Sequence, residues 1–207
     1  MPKPSVTRRH FSHYLAGLAM MSPALHVGAQ SPPVVTTPSK VPAELGAFGP
    51  AAAWQMQGTG ALRFFGFKAY DANLWSLAPA KINPLADKNL FALEIVYNTG
   101  IKADEIVNVS LVEMARLKRL TELQIRTWTA DMQRTFPNVV SGDRLTGVYV
   151  PKVGTRFFLN ARLIAEINDP AFGDAFFAIW LDEGTKRPDL RRSLLALAPL
   201  APTTTSN

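Results

Sequence analysis

Arg63, Lys68 and Tyr70 fall close together in the apolar stretch from Gly58 to Trp75. A guanidinium and an ammonium attract anions, and a phenol adds a directional O–H donor. Held on one surface among greasy neighbours, the three would make a site for a carboxylate or an enolate. The same stretch suggests how they are brought together. Phe65-Gly66 separates two apolar runs, as the two-residue loop of a β-hairpin does. With that turn, Phe64 pairs with Phe67, Arg63 with Lys68, Leu62 with Ala69 and Ala61 with Tyr70. Facing residues share a side of the ribbon and sides alternate along it. Arg63, Lys68 and Tyr70 are therefore expected on one face beside Ala61, with Leu62, Phe64, Phe67 and Ala69 on the other. The plainer reading is a solvated strand, with Arg63 paired to an acid such as Asp71 or Glu94.

Composition narrows the chemistry. The chain has 207 residues, is 47% hydrophobic and carries 12 Phe and 4 Trp. That is enough for one packed domain and unlike a disordered composition. The formal charge is +6, but Lys3, Arg8 and Arg9 precede residue 30, leaving about +3 for the rest. Such a balance gives no case for nucleic acid as a partner. There is no cysteine, and His10, His13 and His26 all lie in the first 29 residues. Once those are removed, thiol catalysis, histidine bases and the usual zinc or copper sites are excluded. No Asp-rich loop offers a carboxylate metal site. No metal and no cofactor is expected, and any chemistry must use Arg, Lys, Tyr, Asp, Glu, Ser, Thr or Asn.

Residues 1–29 read as an export leader. Thr7-Arg8-Arg9-His10-Phe11-Ser12 resembles the bacterial twin-arginine signal, an apolar segment follows, and Val27-Gly28-Ala29 suits a signal peptidase. The segment is short and is broken by Gly17 and Pro23, so no membrane span is expected after cleavage. Residues 30–47, with Pro32, Pro33, Pro38 and Pro42, read as a linker. The folded domain is expected over 48–198, with a disordered tail at 199–207.

Within that domain Leu90 to Tyr97 reads as a third strand, after a loop at Pro79 to Lys88. Asp104 and Glu105 open a helix, with Ile106, Val109, Met114 and Leu117 as its apolar stripe. Thr121 and Gln124 form a capping box for the next helix, whose stripe is Ile125, Trp128, Met132 and Phe136. Arg144 to Pro151 and Thr155 to Asn160 form a second hairpin around Lys152-Val153-Gly154, and Leu163 to Ile167 adds a strand. Asp169-Pro170 starts a helix bearing Phe172, Phe176, Phe177, Ile179 and Trp180. Pro188 opens the last one, with Leu190, Leu194, Leu195 and Leu197. Asp143 is expected to shape a turn rather than act as an acid, and Asn160 to satisfy backbone at a strand end. Trp180 reads as core or as lining of a cleft mouth, and Tyr97 fits either side of its strand. Strands, then helices, then strands, then helices predict an α+β fold: an antiparallel sheet with helices layered on one face.

Gly58-Thr59-Gly60, Arg63, Phe67-Lys68-Ala69-Tyr70-Asp71-Ala72 and Leu74-Trp75 resemble the opening of the chalcone isomerase-like family, in its exported bacterial branch. Gly142 to Tyr149 and Phe172 to Asp182 are similar to that branch too. The resemblance spans Trp54 to Leu197. It implies an open-faced β-sandwich, a large antiparallel sheet with a helical layer and a ligand cleft between them. In plant members the cleft holds a flavonoid in the true isomerases or a fatty acid in non-enzymatic relatives. An Arg on the first hairpin and a hydroxyl on the next strand hold the oxyanion or carboxylate. Arg63 and Tyr70 match these, and a Tyr at the second position is the fatty-acid binders' choice. The isomerases' downstream Tyr, Lys and Asn and their late Thr find no counterpart here, which speaks against isomerase activity.

Three readings follow. The first is a periplasmic or secreted binding protein for a fatty acid or similar amphipathic carboxylate, held by Arg63, Lys68 and Tyr70. The second is a structural or interaction module of the cell envelope whose cleft is filled by its own side chains. The third is an isomerase or lyase acting on a small phenolic or enone.

Overall fold

Residue alternation in the central strand shows why this sheet is covered on both sides. In Phe91–Tyr97, Phe91, Leu93, Ile95 and Tyr97 point one way and Ala92, Glu94 and Val96 the other, and six of the seven are buried. A strand so covered must have a layer on each face. The computed structural model describes residues 40–64, 66–77 and 83–197. The expected export leader, the linker up to residue 39, the tail at 199–207, Phe65 of the hairpin turn and residues 79–82 of the expected loop lie outside the described residues.

Six strands form one antiparallel sheet in sequence order: β1 Trp54–Phe64, β2 Phe67–Leu77, β3 Phe91–Tyr97, β4 Arg144–Val150, β5 Gly154–Leu159 and β6 Arg162–Ile167. Helices α1 Ala103–Leu117 and α2 Glu122–Thr135 join β3 to β4. Helices α3 Pro170–Leu181 and α4 Pro188–Leu194 follow β6. The expected α+β architecture is the one found. The main core lies between the helices and the sheet, where Phe91, Leu93, Ile95 and Phe157 meet Val107, Met114, Trp128, Phe172 and Phe177.

Local chemistry accounts for the helix ends. Thr121 Oγ1 accepts from the Gln124 amide at 3.2 Å while the Gln124 side chain accepts from the Thr121 amide at 2.9 Å, the reciprocal capping box. Asp169 Oδ1 accepts from the Ala171 amide at 2.9 Å. Its Oδ2 accepts from Trp128 Nε1 at 2.8 Å, so the cap of α3 also anchors α2. Helix α4 sits directly on β1. A Cβ on Gly58 would lie 2.2 Å from the Ser193 carbonyl oxygen, so a side chain there would force the helix off the strand.

Three expectations are corrected here. The linker does not extend to residue 47. Residues 43–48 form a 3₁₀ turn on the sheet face opposite the helices, with Leu45 fully buried and Trp54 Nε1 donating to its carbonyl at 3.1 Å. Leu45 joins Trp54, Trp75, Ala92, Val148 and Phe158 in a second core. Pro42 leads into a strap held by contacts distant in sequence. The stripe of α1 is also displaced. Its buried residues are Val107, Ser110 and Met114, and Val109 is exposed. A polar Ser110 on the true stripe made the neighbouring set of apolar residues look better. On α2, Ile125 is exposed, while Trp128, Met132 and Phe136 are buried as expected.

Candidate ligand cavity

A cavity of about 760 Å³ lies between the sheet and helices α1 and α3. It falls in the size range of small-molecule sites. Its floor is Leu93, Ile95, Leu145, Gly147 and Phe157. Its sides are Ile106, Val109 and Ser110 of α1 and Phe176, Phe177, Ile179 and Trp180 of α3. The α1 residues Ile106 and Val109, read from sequence as core stripe, face this void.

Polar groups gather where β2 and β3 meet α3. Tyr70 and Tyr97 pair across the β2–β3 register with ring centroids 6.2 Å apart, edge to face. Trp180 Nε1 donates to Tyr70 Oη at 2.9 Å. Burial pushes the Tyr70 phenol up to about 12, against the opposing pull of the Trp180 hydrogen bond and the Arg187 charge. Burial, and then the neighbouring Tyr70, pushes Tyr97 up further still. Both phenols are therefore neutral O–H groups at any ordinary pH. Tyr70 Oη already accepts one hydrogen bond, and among the described residues nothing accepts its own proton. The Tyr97 hydroxyl has no hydrogen-bond partner among them either. Two such donors on an apolar wall can hold a carboxylate or carbonyl oxygen. A phenol so hard to ionise is not a general base at neutral pH.

The three residues singled out from sequence part company. The hairpin keeps the expected pairs Phe64 with Phe67 and Arg63 with Lys68. The register then shifts, so that Leu62 pairs with Tyr70 and Ala61 with Asp71, leaving Ala69 as an extra residue. Tyr70 thus shares a side with Leu62 and turns away from Arg63. Arg63 is exposed and does not line the cavity, which corrects its expected place in the site. Besides its strand pairing, its carbonyl accepts from Arg187 Nη1 at 3.1 Å. Lys68 reaches the rim, but its ammonium lies 2.8 Å from Asp71 Oδ2. Of the three, Tyr70 stands in the wall and Lys68 at its rim. The alternative pairing of Arg63 with Asp71 or Glu94 is not found either, since Asp71 takes Lys68 and Glu94 takes Arg144.

Trp180 and Tyr97, left open by sequence, complete the polar end. This pairing has no local signal in the sequence, because it depends on the β2–β3 register and on how α3 packs over it. Asp143 does shape a turn: its oxygens accept from the Val140 amide at 2.8 Å and Asn160 Nδ2 at 2.9 Å. The Asn160 hydrogen bond, then the Val140 one, holds its carboxyl below the usual range. Asn160 in turn accepts from the Arg144 amide at 2.9 Å.

Fold and cavity together define a class, the open-faced α+β sandwich with a ligand-sized void under its helices. The chain belongs to the chalcone isomerase-like family, whose model matches residues 40–196. It is 27% identical over 146 residues, covering 70% of each chain, to an uncharacterized protein of Haemophilus influenzae. Among solved structures it is similar to a fatty-acid binding protein of Arabidopsis thaliana, with a TM-score of 0.56 over 69% of this chain and 87% of that one. At 8% identity, that likeness speaks for the fold alone.

Proposed function

We propose that the protein binds a fatty acid or a similar amphipathic carboxylate, with the acyl chain along Leu93, Ile95, Phe157 and Phe176 and the carboxylate at Tyr70. One observation carries this reading: an apolar void ends at a neutral phenol that accepts from Trp180 and has its own proton to give. A hydrogen bond to a carboxylate in a dry site is the strong kind. Lys68 at the rim adds positive charge in exchange with Asp71. The fatty-acid binding of the Arabidopsis neighbour, on the same fold, is in keeping with this use. The open void favours a ligand over the purely structural reading, which needed a cleft filled from within. The leader-like sequence of residues 1–29 is in keeping with export, and we infer a place in the periplasm or outside the cell.

The test is to extract and weigh what copurifies with the protein, then to titrate the delipidated protein with a fluorescent long-chain fatty acid and its methyl ester. The acid is expected to bind and the ester to bind weakly. Equal affinity for acid and ester, or none for either, would overturn the reading.

A further inference from the structure

The β1–β2 hairpin projects further than the cavity requires. Pairing of β2 with β3 stops at Tyr70 and Tyr97, whereas its pairing with β1 runs on to Phe64 and Phe67. Beyond Ala69, whose carbonyl still accepts from the Asn98 amide, the two strands run on as a finger tied back at the Arg63 carbonyl by Arg187. Phe67 at its end is 81% exposed and also lines the mouth of the cavity. Across the mouth, Val109 of α1 is 64% exposed and lines it too. Arg63 is exposed on the finger, and its guanidinium has no partner among the described residues. Lys68, next to Phe67, keeps about a third of its side chain in solvent.

A solvated aromatic flanked by cations has the chemistry of the bilayer interface. There the ring enters the boundary between headgroups and acyl chains, and the cations meet lipid phosphates. Of the acids near the mouth, Glu105 lies on the α1 side and Asp71 on β2 is paired with Lys68, so the uncompensated charge on the finger is that of Arg63. An acyl chain passes poorly through water, so a cavity that takes one gains from a mouth that touches its source. We propose that the finger docks the protein on an anionic phospholipid surface, with Phe67 inserted, Arg63 and Lys68 on phosphates and the cavity mouth turned to the acyl layer. This rests on the acyl-carboxylate reading above, which supplies the reason for docking there.

The experiment is co-sedimentation of the full chain with vesicles of phosphatidylglycerol and phosphatidylcholine, compared with phosphatidylcholine alone. Binding is expected to favour the anionic vesicles and to fall with added salt. Phe67→Asp is expected to weaken it by about tenfold or more, and Phe67→Leu to retain most of it. Arg63→Glu is expected to weaken it by roughly fivefold or more, while leaving affinity for the fluorescent fatty acid in vesicle-free solution unchanged. Equal vesicle binding by wild type and Phe67→Asp, or none by wild type, would overturn the proposal. So would lipid-free self-association that Phe67→Asp abolishes, which would assign the finger to a second copy of the chain. Failure of the ligand reading shows separately, as absence of fatty-acid binding in solution without vesicles.

Discussion

The two faces of the sheet treat their polar side chains in opposite ways. On the strap side, Glu44 and Glu94 are buried carboxylates, with side chains 0% and 7% exposed, that share Arg144. Glu44 Oε1 also accepts from Thr146 Oγ1 at 2.7 Å. Glu94 Oε2 accepts from Asn73 Nδ2 at 3.0 Å and Trp75 Nε1 at 3.1 Å. On the helix side, Tyr70 and Tyr97 face a void with donors to spare. A buried polar cluster whose charges are paired among its own members is a fastening. A polar group left with capacity beside an apolar void is a site. The first kind is the more conspicuous in a list of charged residues, and here the less informative about function.

The largest expected effect breaks the fastened side. Arg144→Ala leaves two carboxylates buried without their counter-charge and is expected to destabilise the fold by about 3 kcal/mol, read as a lower urea midpoint with an unchanged slope. The folded fraction should still bind fatty acid with wild-type affinity. Tyr70→Phe is expected to do the reverse. Affinity should fall about tenfold, the worth of one strong hydrogen bond, seen in a fluorescence titration. Stability should change by no more than about 1 kcal/mol, the share of the orphaned Trp180 N–H.

A finer test is alkaline titration of the phenols. The folded state holds the Tyr70 proton up to about 12, whereas an unfolded tyrosine releases it near about 10. With the folded value the higher, its stabilisation is complete below the unfolded value and is lost as pH rises through the folded one. The difference in phenolate absorbance between wild type and Tyr70→Phe should therefore appear only close to the upper value. An ordinary titration would remove the claim that this phenol is dry. The smallest expected effect is at Arg63. Arg63→Ala should change fatty-acid affinity in solution by less than about twofold, since an exposed charge off the site contributes little. A large loss would return that guanidinium to the cavity.

Much of the fold could be read because its signals are local. Thr121 with Gln124 and Asp169 with Pro170 mark helix starts by chemistry confined to one turn, and Gly66, in the left-handed region at φ 83°, marks the first hairpin. The strap could not be read that way. Glu44 is held by Arg144 and Thr146, about a hundred residues on, and proline spacing alone gave the opposite impression. The site was half legible. Tyr70 was found from its neighbours, but Arg63 was misplaced because alanine at 69 carries no mark of a bulge. Trp180 and Tyr97 needed the packed structure to show which way they turn.

The extra residue at position 69 suggests how recognition can diverge in this fold. Removing or adding one residue there exchanges which members of the hairpin look inward, without touching the sheet's main ladder. Relatives with a different ligand preference would then be sought among chains whose first hairpin differs in length, before those that differ only by replacement of side chains in the wall.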